Sequence, residues 1–189
     1  MQLNGRTLII ATCSLALAMA GGAWWYNYRL SRQAAQFWGP EAAALIVGQS
    51  PLAFLVLQAP GPATDPDAET IAGRAVATEH DLSDKQGQVH LRHALTQDAN
   101  FLWDARRRES IDVGYDWGYA LRFGAGDRRL VVLLRRDFQQ IGKLDADARW
   151  VDILPSPRPA AVFKEYLSAV GVLPRAPSAA GADEAAPAR

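Results

Sequence analysis

Three histidines are the residues best suited to metal binding or acid–base chemistry. His90 and His93 are three positions apart on a predicted helix, so both rings can face the same way. His80 lies shortly before them and is followed by Asp81. Imidazole nitrogens bind zinc and exchange protons near neutral pH, so this set predicts a metal site for hydrolysis. The simpler interpretation is a solvated helix face, because the glutamate of an HExxH motif is missing.

A second candidate site combines arginine with aromatic rings. The run 106–108 consists of three arginines and precedes a segment rich in Trp and Tyr. Guanidinium groups pair with anions, and aromatic rings line many ligand grooves. We therefore predict that Arg107, Trp117 and Tyr119 bind a small molecule or an anion. The alternative is that the rings form the rim of the core and that the arginines lie on a solvated loop or strand edge.

Other reaction types lack a recognisable motif. The sequence contains one cysteine, Cys13, so it predicts neither an internal disulfide nor a cysteine-based zinc site. No serine stands in a GxSxG context. The glycine-rich segment 124–126 is followed by neither the lysine nor the helix of a phosphate-binding loop. We predict no cofactor, and the sequence favours a protein that is not an enzyme.

The charge distribution disfavours nucleic acid as a partner. The chain has 20 basic and 20 acidic residues, and Arg6, Arg29 and Arg32 precede the first acidic residue, Glu41. From position 41 onward 17 basic residues face 20 acidic ones. A domain with this balance has no long-range attraction for phosphate backbones.

The N-terminal region predicts a membrane anchor. Residues 7–28 carry no formal charge and would span about 33 Å as a helix, enough for a bilayer core of about 30 Å. Amphipathic rings beside a cation favour the membrane–water boundary. We therefore predict an interfacial group at the far end of this segment, made of Trp24, Trp25, Tyr26, Tyr28 and Arg29.

A cleaved signal peptide is the alternative to an anchor. Residues 1–6 would be its charged region, residues 8–17 its apolar region, and Ala18-Met19-Ala20 its cleavage site. The short N-terminal tail resembles a bacterial secretory n-region. We therefore expect a single-pass protein with its globular domain on the periplasmic side.

Beyond the anchor, the periodicity of apolar residues predicts one α+β domain. We expect an antiparallel sheet of about five or six strands, with two or three helices packed on one face. The predicted strands are 52–57, 71–79, 117–123, 129–138, 140–144 and 149–154. The predicted helices are 31–38, 40–47, 83–98 and 160–170.

The predicted boundaries are a tail over residues 1–6, an anchor over 7–28 and a juxtamembrane segment over 29–40. The domain follows over 41–173, and 174–189 is expected to be disordered because it has nothing to pack. The leading functional hypothesis is a membrane-anchored, non-enzymatic accessory or interaction domain. Its expected partners are the lipid bilayer and another membrane or periplasmic protein. The alternatives are a ligand-binding domain and a metal-assisted hydrolase.

Overall fold

A computed structural model describes residues 5–59, 69–111, 115–145 and 148–173. Its helices are α1 (Gly5–Leu30), α2 (Arg32–Trp38), α3 (Pro40–Val47), α4 (Gln88–Ala94) and α5 (Pro157–Ala169). Its strands are β1 (Leu52–Leu57), β2 (Thr70–Ile71), β3 (Arg74–Asp81), β4 (Arg107–Ser110), β5 (Trp117–Ala125), β6 (Arg128–Arg135), β7 (Gln140–Leu144) and β8 (Trp150–Pro155). Two short 3-10 helices cover Asp98–Asn100 and Trp103–Ala105. The predicted disordered tail, 174–189, lies outside the described residues.

Helix α1 contains the predicted anchor. Its segment Ile9–Tyr26 is long and apolar enough to cross a membrane. None of that segment is buried against the rest of the protein. The side chains of Trp24, Trp25, Tyr26 and Tyr28 are exposed, and the rings of Trp24 and Tyr28 stack with their centroids 5.7 Å apart. Arg29 lies in α1, but its side chain is outside the described part of the chain.

The α+β prediction with an antiparallel sheet is confirmed, but the strand count is wrong. The sheet has eight strands in the order β2-β3-β1-β5-β6-β7-β8-β4, and all described pairings are antiparallel. The segment predicted as one strand over 71–79 is a hairpin, because Ala72 and Gly73 turn the chain with positive φ values of 53° and 69°. Strand β4 pairs with β8 at the edge of the sheet. It carries no apolar residue, and so the apolar pattern gives no sign of it.

The helices pack on one face of the sheet, as predicted, although the count of two or three is too low. Four α-helices follow α1 in the described residues, and each contributes buried apolar side chains to the same core cluster. Phe37 of α2, Leu91 of α4 and Phe163 of α5 belong to this cluster together with Leu121 of β5.

Helix α4 is shorter than the predicted helix over 83–98. Ser83 and Gln86 have the spacing of a capping box, which would start a helix at Ser83. Instead, α4 starts after Gly87, whose φ is 89°. The Ser83 hydroxyl accepts a hydrogen bond from the Leu52 backbone N–H at 3.0 Å. The Ser83 side chain therefore bonds the first backbone N–H of β1 and does not cap a helix.

The opposite face of the sheet carries a second, smaller core. Leu55, Leu133 and Ile153 are buried there with Trp117. In a regular strand Trp117 would share a face with Tyr119, two residues further on. The pairing of β5 with β6 shifts register between these residues, and such a bulge turns the chain so that they face opposite sides.

Gly142 makes room for Trp117 in the second core. A Cβ at position 142 would lie 2.7 Å from Cγ2 of Val151 and 2.9 Å from the Trp117 ring. We expect Gly142→Ala to lower the free energy of unfolding by about 1–3 kcal/mol, because a well-packed core accommodates added volume poorly. Urea unfolding of the full-length protein in detergent measures this loss. Val151→Ala should make the added methyl less costly in the double variant. Equal stability of Gly142→Ala and wild type would contradict this packing.

Candidate functional site

The N-terminus of α2, where the chain leaves α1, is capped by a side chain from the domain. Asp98 accepts hydrogen bonds from the backbone N–H groups of Gln33 at 3.0 Å and Ala34 at 2.7 Å. Ser31, the residue at the usual capping position, makes no side-chain cap bond. First-turn amides lack partners inside a helix, and a carboxylate is favourable at this positive end. Asp98 therefore fixes the start of α2 on the domain.

The C-terminus of α2 is held by a cation of the sheet. The Lys143 ammonium group on β7 donates to the carbonyls of Phe37 at 2.8 Å and Trp38 at 2.7 Å. Burial lowers the pKa of Lys143, and the nearby Asp152 carboxylate acts in the opposite direction. A positive charge is favourable at this end of a helix. The positive N-terminal end of α2 thus meets a carboxylate, and its negative C-terminal end meets an ammonium group.

Helix α3 ends on a third charged side chain. The buried guanidinium of Arg92, on α4, donates to the carbonyls of Leu45 and Ile46 at 3.0 Å and of Gly48 at 2.9 Å. It also donates to the Ser50 carbonyl. The last carbonyls of a helix have no partner within it, so one side chain supplies several missing bonds.

The side chains of α2 also form part of the core. Ala34, Phe37 and Trp38 are buried, and the Trp38 indole N–H donates to the Leu95 carbonyl at 2.8 Å. The predicted juxtamembrane segment, 29–40, therefore includes a helix that packs against the sheet. Ser31 is the single residue between this helix and α1.

A cleft of about 840 Å³ opens at the C-terminal end of α2, between the α2–α3 corner and the β5–β6 turn. Its volume is in the range of small-molecule sites. Apolar surface comes from Trp38, Pro40, Leu45 and Leu130. The charged residues of its lining are Glu41, Asp127, Arg128, Arg129 and Lys143. The cleft therefore offers an apolar wall and charges of both signs.

A second cleft, of about 460 Å³, lies where β1, β3 and β5 meet at one end of the sheet. Arg122 forms ion pairs there with Glu69 at 2.9 Å and with Glu79. Arg129 reaches Glu69 at 3.4 Å. These carboxylates and guanidinium groups largely balance one another, so this cleft favours neither sign of ligand.

The predicted ligand-binding residues are divided between the two faces of the sheet. The Arg107 Nε donates to the Tyr115 hydroxyl at 3.2 Å, and the rings of Tyr115 and Trp117 lie 5.5 Å apart. Tyr119 instead stacks between two phenylalanine rings of the helical face, at 5.2 and 5.0 Å. Arg107 is engaged further by Glu109, at 2.6 Å. The structure therefore brings Arg107 and Trp117 together through Tyr115 and separates them from Tyr119.

The buried Trp117 indole N–H has no hydrogen-bond partner within the described part of the chain. Buried donors are normally paired, so this N–H stands out in the second core. Burial raises the pKa of the Tyr115 hydroxyl, so the phenol beside Trp117 is neutral. The neutral phenol of Tyr115 contacts both the guanidinium of Arg107 and the carboxylate of Glu109.

The three predicted metal ligands do not form a metal site. His80 is half-buried on β3, while His90 and His93 are exposed on α4. Across the residues that the structure describes, no three His, Cys, Asp or Glu side chains are grouped so that they could hold a metal ion. The ring of His93 contacts the side chain of Gln97.

Asp98, Lys143 and Arg92 were not among the sequence candidates. Each acts on a helix end that is far away along the chain, by 64, 105 and 47 residues for the contacts with Ala34, Trp38 and Leu45. The available local signal was the absence of charged caps on α2 itself, which implies partners elsewhere.

Comparisons with protein-family models, with curated proteins and with solved structures find no match to this chain. The geometry of the α1–α2 connection and of the cleft at the α2–α3 corner is therefore the basis for a functional proposal.

Removal of the Asp98 cap should weaken the attachment of α2. We expect Asp98→Ala to lower the free energy of unfolding by about 0.5–2 kcal/mol, because two backbone N–H groups lose their acceptor. Asp98→Asn keeps an acceptor and should cost less. Urea unfolding followed by tryptophan fluorescence measures both. Asp127→Ala, which removes an exposed acid of the β5–β6 turn, is the matched control. A loss equal to that of the control would show that Asp98 does not hold the helix.

Proposed function

We propose that this protein is a membrane-anchored, non-enzymatic interaction domain that presents a binding cleft at a fixed position relative to its anchor helix. The observation that carries the proposal is that α2 follows the anchor helix after one residue and also fills the domain core. A domain that only needs to stay near a membrane can be tethered by a flexible linker. A core helix in the linker position instead favours a defined placement relative to neighbours in the membrane.

The anchor role of α1 is supported by its length and its aromatic end. Its 26 residues extend about 39 Å, more than the bilayer core of about 30 Å. Exposed Trp and Tyr side chains at its C-terminal end suit the headgroup region. We place the globular domain on the periplasmic side of a bacterial membrane, following the resemblance of the N-terminus to a secretory n-region.

The large cleft is the proposed binding surface for another membrane or periplasmic protein. It adjoins the α2–α3 corner, at the end of α2 opposite to the anchor helix, so the attachment of α2 fixes its position relative to the anchor. Interfaces typically combine an apolar centre with a polar rim. The wall formed by Trp38, Pro40 and Leu45 and the charged side chains of Arg128 and Arg129 match that description.

A small anionic ligand is the second candidate for the same cleft. Arg128, Arg129 and Lys143 contribute three cations to its lining, against Glu41 and Asp127. The ligand prediction for Arg107 and Trp117 concerns another surface and stays a separate, weaker hypothesis. The metal-assisted hydrolase finds no supporting geometry among the described residues.

Site-specific photo-crosslinking in cells distinguishes these functions. A crosslinker at Ala44, an exposed position of the cleft, should capture one protein partner, and Arg128→Glu with Arg129→Glu should abolish that adduct. A crosslinker at Val89, exposed on α4 and absent from the cleft lining, is the control position. Equal adducts at both positions, or none at Ala44, would contradict a protein-binding cleft. Thermal stabilisation by anionic metabolites without any adduct would favour the ligand instead.

Carbonate extraction and intact mass test the anchor separately. The full-length mass and resistance to extraction are the expected results, because α1 remains in the bilayer. A mass that begins at Gly21 together with free release would instead show that the segment is a cleaved signal peptide.

A further inference from the structure

The start of α2 determines which part of the domain lies nearest the bilayer. If α1 spans the membrane, its last residue, Leu30, lies at the membrane–water boundary. Asp98 contacts the backbone of Gln33 and Ala34 just beyond that boundary. The 3-10 helix Asp98–Asn100 must therefore lie close to the membrane surface, whatever direction the rest of α2 takes.

Two exposed arginines and one exposed leucine adjoin this 3-10 helix. Arg32 is the first residue of α2. Arg158, in the first turn of α5, donates from Nη1 to the Ala99 carbonyl at 2.8 Å. Leu102 follows the 3-10 helix and is 54% exposed. We call Arg32, Leu102 and Arg158 the membrane-proximal face.

We propose that the membrane-proximal face docks onto anionic lipid headgroups. Arg32 and Arg158 pair with headgroup phosphates, and Leu102 enters the boundary between headgroups and acyl chains. Basic side chains next to a membrane anchor are attracted by the negative potential of anionic lipids, and exposed apolar side chains partition into the interfacial region. This inference rests on the proposed function, because it requires α1 to be in the membrane. It adds a second attachment that selects the orientation of the domain.

Other exposed arginines are less suited to this role. Arg106 stacks over the Phe37 ring at 5.0 Å and pairs with Asp152 at 3.4 Å. Arg108 pairs with Asp145 at 3.3 Å. Their charges are already balanced by carboxylates of the domain, whereas Arg158 is bonded to a neutral carbonyl.

A spin label at position 102 tests the docking in the full-length chain. Cys13→Ser removes the only native cysteine, and Leu102→Cys provides the labelling site. Nanodiscs of phosphatidylcholine with and without phosphatidylglycerol provide the neutral and anionic surfaces. Collision rates with oxygen and with a water-soluble nickel chelate report the depth of the label. We expect the label to be shielded from the chelate only when phosphatidylglycerol is present.

Charge variants connect that signal to the arginines. Arg158→Gln should reduce the ratio of docked to undocked domain about fivefold, since one basic side chain near an anionic surface is lost. Arg158→Lys keeps the charge and should restore docking. Arg149→Gln removes the same charge just before β8, at the opposite end of that strand from Pro155, which bonds Leu102, and should have no effect. Circular dichroism checks that each variant is folded.

Two outcomes would overturn the proposal. In the first, the label at position 102 is equally accessible to the chelate in both lipids. In the second, Arg158→Gln and Arg149→Gln behave alike. In either case, carbonate resistance of the same protein would leave the anchor intact. Loss of carbonate resistance would instead refute the anchor itself, so the two failures are distinguishable.

Discussion

The structure depends on the charged side chains that close the ends of α2 and α3. Asp98 binds the N-terminus of α2, Lys143 binds its C-terminus and Arg92 binds the C-terminus of α3. A helix as short as α2 is marginal in water because nucleation is costly and most of its end groups lack partners. The domain supplies those partners, and the burial of Phe37 and Trp38 adds the apolar contribution. A segment that would otherwise behave as a linker becomes part of the fold.

The attachment of α2 to the domain also determines which face of the sheet carries the proposed binding cleft. The helical face takes up α2 and leaves the large cleft beside the α2–α3 corner. The opposite face is closed by its own side chains, because the bulge in β5 turns Trp117 inward and Gly142 leaves room for it. A binding surface for another protein is therefore expected at the cleft beside the α2–α3 corner and not on the second core.

Elements with a strong local pattern could be predicted from the sequence, and elements that depend on distant partners could not. The uncharged run of α1 and the alternation in β5 and β6 are visible in any short window. Strand β4 has no such pattern, since an edge strand of arginines resembles an exposed loop. The opposite orientations of Trp117 and Tyr119 result from a one-residue bulge, which period-two reasoning misses. The charged caps on α2 and α3 are long-range contacts, so no local spacing indicates them.

Amide hydrogen exchange of the full-length protein in nanodiscs tests the central claim most directly. If α2 belongs to the folded core, its hydrogen-bonded amides over residues 35–38 should exchange as slowly as those of strands β5 and β6. This result would show that anchor and domain are joined by a structured helix. Exchange of residues 35–38 at the rate of an unstructured linker, with β5 and β6 still protected, would contradict the account.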